Sequence, residues 1–210
     1  MQRGATKRSI DVTLNASATE VLTTAPSWLD TSFAEGVDRC GSALSAGERV
    51  NAYLATASAD LVSLAAIVAT AACTWPSNAE TYARHCLARC PTTRMSLFAV
   101  VWRQGQISPI HDHGTGGAVT VVRGSLHEEE WSGGGATAFQ TDALQGLVSG
   151  AVTAFTNRSE YVHRVSALED TTSLHLYGGH VAAYHGYDER RGICLPVVAS
   201  PPHVACPQTA

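Results

Sequence analysis

Charge is scarce in this chain: Lys, Arg, Asp and Glu together make up 15% of its 210 residues, and the formal net charge is −4 with His neutral. That excludes the broad basic surface a nucleic acid or an anionic lipid would need, and it leaves a small molecule as the expected partner. Long apolar runs are missing as well. No segment approaches the roughly 20 apolar residues of a membrane span, and the first residues, MQRGATKRS, lack the apolar stretch of a secretory leader. The expected location is therefore the cytoplasm, with the mildly basic start read as an unstructured tail. Regular cysteine spacing is also absent. The six cysteines (Cys40, Cys73, Cys86, Cys90, Cys194 and Cys206) follow no disulfide framework, so they are expected to be thiols, mostly structural. Cys86 and Cys90 lie beside His85, but no second Cys/His pair at matching spacing follows to complete a zinc site.

A chain of this length holds one well-buried core and not two comfortable ones. Residues 1–44 are rich in Ser, Thr, Ala and Gly without a clear period and are expected to form a loosely attached arm. Residues 45–200 are expected to form the single folded domain, and 201–210 a tail. From Ser45 an Ala-rich stretch opens with a Ser-x-x-Glu capping box at Ser45 and Glu48. It carries apolar residues at Val50, Leu54, Leu61, Leu64, Ile67 and Val68, a pattern that predicts two helices packed on a larger body. From Met95 the texture changes to short β-rich runs, MSLFAVVW, GAVTVVRGSL, GAVTAFTN, HRVSAL, TSLHLYGG and ICLPVV, separated by turns such as WSGGGAT. Such spacing predicts an antiparallel sandwich or barrel, in which alternate side chains converge on one interior pocket.

Two histidines separated by one residue stand in the segment GQISPIHDHGTGGAVTVVRG. On an extended strand, residues i and i+2 share a face, so His111 and His113 can offer imidazole nitrogens to one metal while Asp112 points away. A third imidazole from a distant strand would complete one face of the coordination sphere and leave positions open for substrate and O2. His163, inside YVHRV, is the candidate. Gly105, His111, His113, position 117 and Gly124 reproduce the first cupin signature, with one departure: Gly117 stands where most cupins place a metal-binding Glu. A site of three neutral imidazoles keeps the full positive charge of its metal, which favours an anionic thiolate as incoming ligand.

These segments, with Tyr82-x-Arg84, Trp102 nine residues before the first histidine, and SLHLY carrying Ser173, His175 and Tyr177, resemble the cysteine dioxygenase family of thiol dioxygenases. The resemblance covers roughly Tyr82 to Leu195. It implies a mainly β fold, a cupin (jelly-roll-like) barrel with N-terminal helices packed on it. It also implies a ferrous iron, Fe(2+), on His111, His113 and His163, and the oxidation of L-cysteine by O2 to cysteine sulfinic acid. Arg84 and Tyr82 would bind the substrate carboxylate, and Tyr177, supported by His175 and Ser173, would act on the reacting groups. In some relatives a Cys bonded to the triad Tyr occupies the place of Gly117, so Tyr177 is expected to remain a free phenol here.

The expected partners are a small thiol and O2, in a monomer or weak homo-oligomer. Two rivals stay open at this point: the same chemistry on another small thiol such as 3-mercaptopropionate, and a metal-binding cupin without turnover. Retention of Arg84, and His185 and Gly186 in place of a second arginine after Tyr177, favour cysteine. Ser173 and His175, two apart on one strand, are not placed as a hydrolase nucleophile and base would be. His85, His127, His180, His185 and His203 are given no role, and the run His127-Glu-Glu-Glu130 is read as a solvated turn.

Overall fold

The computed structural model of the chain describes residues 52–54, 57–70, 75–89, 94–134, 137–155, 161–179, 181, 183–191 and 193–198. The expected arm over 1–44, the capping box, the tail over 201–210, His180 and His203 lie outside them. Among the described residues helix α1 (Ser58–Thr70) precedes eleven strands: β1 (Ala83–Arg89), β2 (Ser96–Trp102), β3 (Ile110–His111), β4 (Gly117–Arg123), β5 (Ser125–Gly134), β6 (Thr137–Val148), β7 (Val152–Phe155), β8 (Val162–Ala167), β9 (Thr171–Tyr177), β10 (Ala183–Asp188) and β11 (Ile193–Val198). They form two antiparallel sheets, ordered β1-β2-β9-β4-β7 and β11-β10-β3-β8-β5-β6. This is the expected cupin fold.

Strands β2 and β4 of the first sheet read as nearly unbroken apolar runs because both of their faces are covered. Leu97, Ala99, Ala118, Val122, Leu174 and Leu176 point outward and pack on Leu54, Leu61, Leu64, Ala65 and Val68 of the helical segment. The last four are spaced as one helical face. Phe98, Val100, Trp102, Val119, Val121 and Tyr177, in the alternate phase, point inward and meet Leu126, Leu147, Val165 and Ala167 of the second sheet. Leu174 and Leu176 are fully buried, and each such side chain contributes about 1.5–3 kcal/mol to the folded state. All seven residues of β9, the middle strand of its sheet, are buried.

Two expectations are corrected here. The run from His127 to Glu130 is not a turn: it lies within β5, paired with β6 on one side and β8 on the other, and Glu128 is 1% exposed. Cys86 is disulfide-bonded rather than a thiol, whereas Cys194 on β11 is free and exposed. Spacing along a chain does not report which cysteines the fold brings together.

Candidate metal centre

The second sheet brings the three histidines together by register. His111 on β3 sits directly across from His163 on β8, and His113 follows in the same phase as His111. All three are buried. Their ring centroids lie 4.7 to 4.9 Å apart, and one nitrogen from each lies within 4.8 Å of the others.

Hydrogen bonds orient two of the rings. Nδ1–H of His111 donates to the Pro109 carbonyl at 2.9 Å, and Nδ1–H of His163 donates to Glu128 Oε1 at 2.6 Å. Each bond leaves the Nε2 lone pair free to face the pocket. Burial, and then the neighbouring imidazole of His163, lowers the His111 pKa to about 3. Burial followed by His111 and His163 holds His113 well below its ordinary value. Both rings are therefore neutral at pH 7, the form that binds metal. The Nε2 atoms of His113 and His163 are 2.9 Å apart. Two nitrogens at about 2.1 Å from one ion and at right angles to each other stand about 3.0 Å apart, so this pair is spaced to share one divalent transition-metal ion.

Glu128 is the residue that sequence reasoning missed. Besides His163 it accepts hydrogen bonds from Tyr161 and, at 2.5 Å, from Gln145. Burial pushes its carboxyl pKa up, but the bonds from His163, Tyr161 and Gln145 outweigh that and hold it below the usual range. The carboxylate is thus ionised beside the imidazole it orients. Its signal was the phase of the strand: Glu128 is two residues beyond Leu126, which is 1% exposed and faces inward.

Asp112 points away from the other two histidines of its motif, as expected. Its backbone N–H donates to the His185 carbonyl. Its carboxylate accepts from the backbone N–H and Nδ1–H of His185 and from the Tyr187 hydroxyl. His185, expected to have no role, ties the His-x-His segment to β10.

Phe155 fills the space left by the missing cupin carboxylate. Its ring stacks on His113 with centroids 5.1 Å apart at 20°, and a Cβ added to Gly117 would lie 2.6 Å from Phe155 Cζ and 2.8 Å from the Leu176 carbonyl oxygen. Gly117→Ala is expected to lower stability by about 1–3 kcal/mol through overpacking, read as a reduced midpoint in urea with unchanged slope. An unchanged midpoint would show that Phe155 moves aside freely.

Facing the histidines across the same pocket are Arg84, Tyr82, Trp102, His175, Tyr177 and Tyr184. Ser173 lies behind His175, its Oγ 2.9 Å from His175 Nε2, and His175 Nδ1 is 3.0 Å from the Tyr177 hydroxyl. Tyr82 stacks on Trp102 with centroids 4.4 Å apart, and the Arg84 guanidinium lies 5.7 Å from the Phe98 ring centre. Burial pushes the Tyr177 phenol pKa up, so it stays protonated at neutral pH. Tyr184, unmarked by any motif, reaches the pocket from β10 with its ring 5.5 Å from that of His111.

A family model described as cysteine dioxygenase type I matches residues 53–190, well over half of the chain. This chain belongs to the cysteine dioxygenase type I family. Its thiol dioxygenase chemistry calls for a metal, and the three-imidazole cluster is suited to one. Similar solved structures include an RmlC-like cupin protein from Desulfovibrio desulfuricans, at 21% identity over 50% of this chain and 88% of that one, with a TM-score of 0.37. Another is a cupin superfamily protein from Desulfitobacterium hafniense, at 13% identity over 56% and 85%, with a TM-score of 0.38. A third is KdgF from Halomonas sp., at 18% identity over 50% and 87%, with a TM-score of 0.39. In this cysteine dioxygenase family member, Tyr82, Arg84, Trp102, the three histidines, His175 and Tyr177 all line one pocket.

Proposed function

We propose that the chain is a non-haem Fe(II) dioxygenase that converts L-cysteine and O2 to cysteine sulfinic acid, with His111, His113 and His163 as the iron ligands. The observation that supports this most is the placement of one arginine and one protonated tyrosine opposite a buried three-imidazole cluster in a single pocket. Iron, when bound, supplies the redox chemistry that joins both atoms of O2 to a thiol sulfur, so RSH and O2 together give RSO2H. The side chains position the reactants. Arg84 pairs with the substrate carboxylate through parallel charge-assisted bonds, and Tyr82, held by its stack on Trp102, supports that contact. The Tyr177 hydroxyl donates to the reacting end of the substrate, with His175 and Ser173 fixing its orientation. Arg84 is the only arginine or lysine among the described residues that line the pocket. That supports Arg84 as the carboxylate anchor.

The test is anaerobic reconstitution with Fe(II), followed by cysteine, 3-mercaptopropionate and cysteamine under O2, with products identified by mass. Cysteine is expected to gain two oxygen atoms and to react fastest. Faster turnover of 3-mercaptopropionate would remove the cysteine assignment, and no O2 consumption with any thiol would leave a binding cupin without turnover.

Glu128→Gln keeps the shape of the residue but removes the charge behind His163. It is expected to weaken metal affinity about 10–100-fold, the usual effect of losing the outer partner of a ligating histidine. Competition against a chelator measures it. Equal affinity in the variant and the parent would mean that Glu128 supports the fold only.

A further inference from the structure

We propose that Trp102 is a positioning residue that sets the direction of a buried hydrogen-bond chain, Trp102–Ser173–His175–Tyr177, so that Tyr177 presents its proton, and not a lone pair, to the pocket. The inference rests on the thiol dioxygenase reading above and adds a residue and a direction to it.

Alternation along β2 and β9 turns all four side chains inward, and each is at most 7% exposed. The chain begins at a group that can only donate: the Trp102 indole N–H reaches Ser173 Oγ at 3.2 Å. The serine hydroxyl has one proton and two places to put it. His175 Nε2 is 2.9 Å away, while the Val100 carbonyl is 3.5 Å away, at the outer limit for such a bond. The shorter contact takes the proton, and accepting a bond from the indole polarises the hydroxyl to give a stronger one.

His175 carries a single ring proton, because burial, and then the nearby His163, lowers its pKa to about 3. With Nε2 accepting from Ser173, that proton sits on Nδ1 and is donated to the Tyr177 oxygen at 3.0 Å. The phenol's own O–H is then directed to the pocket that it lines beside Arg84 and His113. Run in reverse, Tyr177 would donate to His175 and turn a lone pair toward the substrate. Ser173 would then accept two bonds, and its proton would have only the 3.5 Å contact to Val100. The indole N–H thus biases a proton three hydrogen bonds away. An anionic sulfur or a developing oxyanion is stabilised by the first arrangement and repelled by the second.

The test is nitrogen NMR of the metal-free protein labelled at histidine, which reports the tautomer of His175 without any turnover. The parent is expected to show the Nδ1–H tautomer. Trp102→Phe, which keeps a ring against Tyr82 but removes the donor, is expected to give a mixture with Nε2–H. When loaded with iron, that variant is expected to lose about tenfold in kcat with KM for cysteine little changed, the pattern of an interaction made in the transition state. Ser173→Ala should show the same loss of tautomer preference, and it serves if the tryptophan variant does not fold. An Nε2–H tautomer in the parent overturns the proposal, as does an unchanged tautomer in the variants or an unchanged kcat despite a shifted tautomer. Failure to oxidise any thiol would instead overturn the functional reading and leave the tautomer result standing.

Discussion

His163→Ala is expected to bind Fe(II) more than about 100-fold more weakly than the parent, exceeding the effect of losing an outer partner of a ligand. The variant removes one of three imidazoles and has nothing to replace it, because Phe155 occupies the place where a cupin carboxylate would stand. It also leaves the Glu128 carboxylate buried with only Tyr161 and Gln145 as partners, so stability should fall as well. His111→Ala separates the two effects. Its Nδ1–H bonds a backbone carbonyl, and its loss strands no buried charge, so iron affinity should drop comparably while stability drops less. Chelator competition and urea unfolding measure the two quantities. Full iron occupancy in His163→Ala would show that another residue supplies the third ligand.

Arg84→Gln is expected to lower kcat/KM for cysteine about 30- to 900-fold, equal to about 2–4 kcal/mol, the scale of truncating a buried charged pair. The guanidinium grips a carboxylate through two parallel bonds, whereas the amide of Gln has fewer donors and no charge. Cysteamine keeps the thiol and the amine of cysteine but lacks its carboxylate. It should be a poor substrate for the parent enzyme and almost indifferent to the substitution. An equal loss for both thiols would place Arg84 in support of the fold or of the histidines, and the carboxylate contact would have to lie elsewhere.

The parts of the site carried by short-range periodicity were legible from residue order. His-x-His and Ser-x-His-x-Tyr each place their side chains on one face of an extended segment: His111, His113, His175 and Tyr177 line the pocket, and Ser173 is hydrogen-bonded behind His175. Glu128 was hidden because three consecutive acids read as a solvated run. Only the pairing of β5 with both β6 and β8 shows that it lies in the interior of a sheet. Strand β3 has two residues, too short to give any periodic signal, although it carries a site histidine. The role of Asp112 was invisible for a different reason. Its partners His185 and Tyr187 are more than seventy residues away, and no local pattern encodes that distance. Likewise, Phe155 could not be read as filling the place of the absent carboxylate until β4 and β7 were paired, with Gly117 opposite Phe155.

Strand β9 bears Ser173, His175 and Tyr177 on one side and Leu174 and Leu176 on the other, and it lies between β2 and β4 with every residue buried. Its amide hydrogens are bonded within the sheet and covered by α1 on one side and by the second sheet on the other. No edge of this strand can fray by itself. Exchange of these amides with solvent deuterium therefore requires the cooperative opening of the whole domain, and they should be among the slowest in the protein. The groups proposed to orient the reacting end of the substrate consequently have no partly open state of their own, and heat or denaturant should abolish their arrangement and the fold in one transition.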